Sequence, residues 1–176
     1  FTEGSGTTVD DASVNSNTGN FKGTGEPAWD TTDVPFAVSG SAPNSVHYDG
    51  SDDYINCGQD ASLNISGNMS VVSWVNLDTF PSNSNPDNSA YYYYIAGHGY
   101  NGTDEGWAFR VHYGPVLYAG SYSNVGGIDT SYAVGWNITG WNTGEWHHVV
   151  GIYNGTAWKV YLDGVEKASA DKTTGA

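Results

Sequence analysis

The sequence predicts an all-β sandwich, and three observations predict it. Helix formers are scarce: four Leu, one Met and five Glu stand against 73 Gly, Ser, Thr and Asn among 176 residues. Those four types are weak helix formers and good turn residues. Apolar residues recur at period two rather than 3.6, most clearly over 107–113. Asn-Gly and Asp-Gly pairs punctuate the apolar runs and supply the positive φ that tight hairpins need. Low aliphatic content with a net charge of −14 would by itself suggest disorder. The 13 Tyr and 7 Trp argue otherwise, since each aromatic side chain buries ~150–250 Å² and can build a core.

Taken in order, the first six residues read as the end of a strand. Strand signals dominate from residue 46. Residues 69–77 are apolar on both faces, as in a central sandwich strand. Residues 81–89 are polar with two prolines, a loop. The four tyrosines Tyr91 to Tyr94 open a strand and alternate, so two must face away from the core. Asn101-Gly102 separates it from the next strand, where Trp107, Phe109, Val111 and Tyr113 share one face and Ala108, Arg110 and His112 the other. Residues 126–142 are Gly-rich and read as a long loop or an irregular strand. Residues 146–153, 157–162 and 165–168 form a meander turned at Asn154-Gly155 and Asp163-Gly164. Trp74, Trp107, Trp146 and Trp158 fall in strand registers as core. With no repeat and no linker, residues 1–176 read as one domain.

Charge excludes some partners. Five Lys plus Arg face 19 Asp plus Glu. A duplex binder needs a basic footprint, so nucleic acid is not expected. No apolar run reaches the ~18 residues of a membrane span. Cys57 stands alone, which leaves no internal disulfide or thiolate zinc site.

Three segments resemble the laminin-G-like jelly-roll family. In TVDDASVNSNTGNFKG (8–23), Asp11, Ser13, Asn15, Asn17, Gly19 and Gly23 match, while Val14 and Ser16 replace usual glycines. VHYDGSDDYINCGQDASLNISGNMSVVSWVNLD (46–78) carries Asp49-Gly50-Ser51-Asp52-Asp53-Tyr54 and then Ser73-Trp74-Val75. WHHVVGIYNGTAWKVYLDGV (146–165) is the third. The resemblance implies a two-sheet antiparallel jelly-roll sandwich, concanavalin A-like. It also implies an extracellular or cell- or virion-surface location, a glycan or surface protein as ligand, and often a structural calcium. Cys57 falls where the family has an aliphatic, which suggests a buried thiol. Family members usually continue through further strands, so this chain reads as clipped at both ends, with an open sheet edge that invites self-assembly.

Calcium wants six to eight hard oxygens. Asp49, Asp52 and Asp53 supply three carboxylates around one turn; Asp11, Asn15 and Asn17 supply oxygens in a loop. Asp and Asn are also ordinary turn formers, and both readings stand. Trp136 and Trp141, with Tyr100, are candidate sugar-stacking residues, because they lie in Gly- and Asn-rich sequence; packing beneath a loop is the other reading of the two indoles. His147 and His148, adjacent on a strand, point to opposite faces and cannot chelate together. Asn64, Asn68, Asn101, Asn137 and Asn154 begin glycosylation sequons. The acidic clusters lie in turns, not as facing carboxylates on one strand face, so no catalytic pair is read. The expected function is a non-catalytic extracellular recognition or adhesion domain. The alternatives are a structural subunit of a filament, virion or surface layer, and a glycan-cleaving enzyme of the same fold.

Overall fold

The computed structural model describes residues 1, 3–25, 27–36, 44–65, 67–85, 91–98, 106–122 and 133–171. Every strand pair in them is antiparallel. The chain divides into two compact units, Phe1–Asn64 and Ile65–Ala176.

In the first unit, β1 (Thr8–Val9), β2 (Gly19–Lys22) and β5 (Tyr54–Asn56) form one sheet, and β3 (Ala28–Asp30) pairs with β4 (Ser45–His47). Phe21, only 1% exposed, packs against Trp29 at 5.3 Å between ring centroids. Trp29 also meets the Phe1 edge and donates its Nε1 hydrogen to the Gly6 carbonyl at 2.8 Å. Gly19 permits the close pairing of β2 with β5: a Cβ there would lie 2.4 Å from Ile55 Cγ2.

The second unit holds two four-stranded sheets. One runs β10 (Ala133–Asn137), β9 (Val116–Tyr122), β8 (Gly106–His112), β7 (Tyr92–His98). The other runs β13 (Val165–Asp171), β12 (Ala157–Leu162), β11 (Trp146–Tyr153), β6 (Met69–Asn76). Phe109, Val111, Leu117, Ala119 and Val134 of the first sheet meet Val149, Trp158 and Val160 of the second in one buried cluster. Each fully buried aliphatic here contributes roughly 1.5–3 kcal/mol by leaving water. The sheets touch at Gly151, where a Cβ would lie 3.1 Å from the Phe109 ring and 3.2 Å from Ala119 Cβ. This is the sandwich that the alternation of 107–113 predicts.

Several expectations need correction. Among the described residues β6 pairs only with β11, which makes it an edge strand and not a central one. Its outward residues Val72 and Trp74 are 60% and 41% exposed, so Trp74 is not core. Residues 133–137 form a regular strand in the segment read as loop or irregular strand. The turn at Asn154 takes three residues rather than two, because the Asn154 side-chain oxygen accepts from Thr156 N and Ala157 N and closes the turn itself. Asp163-Gly164 is the expected two-residue turn, with φ of 50° and 78°. Cys57 is exposed, not buried. Partial desolvation, then the nearby Asp11 charge, push its thiol pKa up, which keeps it protonated. Asn101-Gly102 lies outside the described residues.

Candidate functional site

At one end of the second unit, where β10 borders the gap between the sheets, a pocket of about 260 Å³ opens. Trp136, Asn137, Ile138, Trp141, His147 and Asp163 are among the residues that line it. Trp136 pairs in register with Leu117, a core residue, but β10 is an edge strand, so its indole stays 42% exposed at the rim. After β10 the chain turns tightly: Asn137 Oδ1 accepts from Thr139 N, and Trp141 N donates to the Ile138 carbonyl at 2.9 Å. That turn sends Trp141 inward. Its indole is 5% exposed and belongs to the core cluster, so of the two readings of Trp141 its burial supports packing beneath the loop. It forms the pocket floor, edge-on to the His147 ring at 4.3 Å.

His147 and Asp163 reach the pocket through hairpin geometry. β11 and β12 pair with Val149 opposite Leu162, which brings Asp163 beside the two histidines. His147 Nδ1 lies 2.9 Å from Asp163 Oδ2, and His148 N donates to Asp163 Oδ1 at 3.0 Å. Desolvation pushes the Asp163 carboxyl up, but the hydrogen bonds from His147 and His148 outweigh it and hold the pKa below the usual value. His148 turns to the opposite sheet face and meets Trp74 at 5.2 Å, as alternation requires. Two side-chain nitrogens of these lining residues, Trp141 Nε1 and His147 Nε2, are shut off from solvent with no hydrogen-bond partner. Alternation shows that the two histidines cannot chelate together, but it does not single out Asp163. The signal was the meander itself, whose short turns set Asp163 against residue 148.

A second polar and aromatic group covers the outer face of β7, β8 and β9. Arg110 is 3% exposed although it points away from the core. Its guanidinium lies 3.8 Å over the Tyr92 ring, and Nη1 donates to Tyr94 Oη at 2.8 Å. His112 stacks on Tyr118 at 4.1 Å and touches Tyr91 and Tyr92. Burial, and then the Arg110 charge, push His112 down to about 4, so it is neutral near pH 7.

In the first unit, Asp49, Asp52 and Asp53 bring one carboxylate oxygen each within 4.8 Å of the others, an arrangement that could hold a metal ion. Asp49 Oδ1 accepts from Ser51 N, Asp52 from Thr24 N and Oγ1, and Asp53 Oδ2 from Asp49 N. Asp53 Oδ1 is buried with no partner, a free ligand position that fits a cation. Gly23, at φ 136°, makes room, because a Cβ there would lie 2.4 Å from that oxygen. Asp11 lies outside this cluster. Its carboxylate accepts from Ser13 N, Ser13 Oγ and Asn17 N, which holds its pKa below the ordinary value. Asn17 donates to Ser62 Oγ, and Asn15 is exposed.

Of the sequon asparagines, Asn64, Asn68, Asn137 and Asn154 are exposed. Asn101 and Tyr100 lie outside the described residues. No helix among the described residues is long and apolar enough to cross a membrane. A comparison with curated proteins gives no match, and neither does one with solved structures. A laminin-G-type model described as the concanavalin A-like lectin/glucanases superfamily matches residues 49–176, a span that takes in the Asp turn, both sheets of the sandwich and the rim pocket. By that match and by its antiparallel all-β architecture, the chain belongs to the concanavalin A-like lectin/glucanases superfamily.

Proposed function

We propose that this chain is a non-catalytic carbohydrate-recognition module acting outside the cell or on a cell or virion surface, and that residues 1–176 work as one laminin-G-like domain. The observation that carries this reading is the rim pocket. It places a half-exposed indole, Trp136, beside Asn137, His147 and Asp163 in one concavity. A flat ring for a sugar face and polar groups for its hydroxyls are what saccharide recognition requires. The superfamily name joins lectins with glucanases, and the described lining of the pocket supports the first reading. Asp163 is the one carboxylate among its lining residues, whereas glycoside hydrolysis uses two flanking the scissile bond. Calcium at Asp49, Asp52 and Asp53 has a structural role in this reading. A glycan array probed with the chain, in calcium and in chelator, tests it. Binding of a defined saccharide set, reduced by Trp136→Ala, is expected. An array with no signal in either condition contradicts it.

A second reading, a structural subunit whose partners are surface proteins or copies of itself, is favoured by one observation. Val72 and Trp74 are large, apolar and exposed on the outer face of edge strand β6. Concentration-dependent association that Val72→Lys abolishes would support it. A monomer at all concentrations would count against it.

A further inference from the structure

The polar inventory of the pocket constrains what enters it. A carboxylate only accepts, so the contact of Asp163 with His147 Nδ1 places the ring proton of neutral His147 on Nδ1. His147 Nε2 is then a lone-pair acceptor. Trp141 Nε1–H only donates. The two rings are 4.3 Å apart at their centroids, both residues line the pocket, and both nitrogens are buried without a partner. Buried polar groups are normally paired, and an exception asks for an absent partner.

A donor and an acceptor on neighbouring rings are both matched by a group that accepts and donates, and a ligand hydroxyl is such a group. A ligand carboxylate has no hydrogen for Nε2 and is repelled by Asp163. A ligand ammonium cannot accept from Trp141. We propose that the pocket takes an uncharged saccharide, one hydroxyl or adjacent pair of hydroxyls donating to His147 Nε2 and accepting from Trp141 Nε1. This inference rests on the carbohydrate reading of the same pocket. Asp163 is a positioning residue: it fixes the imidazole tautomer and sets the charge that rejects acidic sugars. Both nitrogens are closed to solvent, so the pocket lining has to open for the hydroxyl to reach them.

The test is a nuclear magnetic resonance titration of the whole ¹⁵N-labelled chain. Methyl glycosides of glucose, galactose and mannose are compared with sodium glucuronate at matched ionic strength. The expected result is a saturable downfield shift of the Trp141 indole proton, with a matching change at His147 Nε2, for at least one neutral glycoside and not for glucuronate. Saturable shifts at Trp136 that leave the Trp141 indole and His147 Nε2 unmoved would overturn the hydroxyl assignment while the carbohydrate reading stands. Glucuronate shifting both nitrogens as strongly as any neutral glycoside would overturn it too. No shift at Trp136, Trp141 or His147 with any sugar would remove both.

Discussion

The outer face of β7–β9 and the rim pocket are both built from aromatic rings around a few polar atoms, yet they treat those atoms in opposite ways. On the outer face, Arg110 is stacked on Tyr92 and hydrogen-bonded to Tyr94, and His112 is enclosed by tyrosine rings. In the pocket, the Asp163–His147 contact fixes one ring nitrogen while His147 Nε2 and Trp141 Nε1 go unpaired. A polar cluster that completes itself stabilises the sheet it covers. One that stays incomplete beside a cavity has its complement elsewhere. Exposed aromatic area alone does not separate the two, since Tyr94 is more exposed than Trp136.

The largest effect that would sharpen this contrast is on the pocket floor. Trp141→Ala should cost about 3–5 kcal/mol, a drop on the order of 10 °C in melting temperature, because it empties a core position. A melting point within a degree or two of wild type would mean the indole is not core. Next, Arg110→Ala should cost roughly 2–3 kcal/mol, since it removes the packed guanidinium beneath Tyr92 and the donor to Tyr94. Carbohydrate binding should survive in that variant at temperatures where it stays folded; loss of binding by the folded variant would move the site to the outer face.

His112 gives a smaller, pH-dependent effect. Its folded pKa, about 4, lies below the unfolded value of ~6.5. The unfolded chain therefore takes up the proton first. The stability gained by keeping His112 neutral is full above pH ~6.5 and is lost as pH falls toward 4. Melting curves of wild type and His112→Gln should draw together over that window. Parallel curves would place His112 in an ordinary solvated setting. The Asp turn of the first unit is a further incomplete cluster, through Asp53 Oδ1. Millimolar calcium should raise the melting temperature and chelator lower it, with Asp52→Ala erasing the difference. Identical curves in calcium and chelator would make the turn purely structural.

How much of this was legible in the sequence follows from what periodicity encodes. Alternation separates the faces within β8, where Phe109 and Val111 are fully buried in the core, but Tyr113 lies beyond the strand and is exposed. The Asp163-Gly164 turn is read from the positive φ its residues tolerate. Alternation does not report strand neighbours. Met69–Asn76 is apolar on both faces whether it lies centrally or at an edge, so β6 and the exposed Trp74 are misread. Trp136 and Trp141 have the same polar, Gly-rich surroundings in sequence. Their fates divide on the turn after β10, which tucks one indole inward and leaves the other on an edge strand. The pairing of His147 with Asp163 was within reach of hairpin arithmetic. The unpaired nitrogens were not, because they depend on how Trp141 packs.

The central claim is that the rim indole Trp136 serves recognition while contributing little to the fold, whereas Trp141 is part of the core. Isothermal titration of the strongest array saccharide into wild type and Trp136→Ala, at a temperature where both are folded, tests it most directly. The account predicts an affinity loss of about tenfold or more, roughly 1.4 kcal/mol, in a variant that melts within about 2 °C of wild type because an exposed rim indole contributes little to the core. Unchanged affinity in a fully folded Trp136→Ala would contradict it.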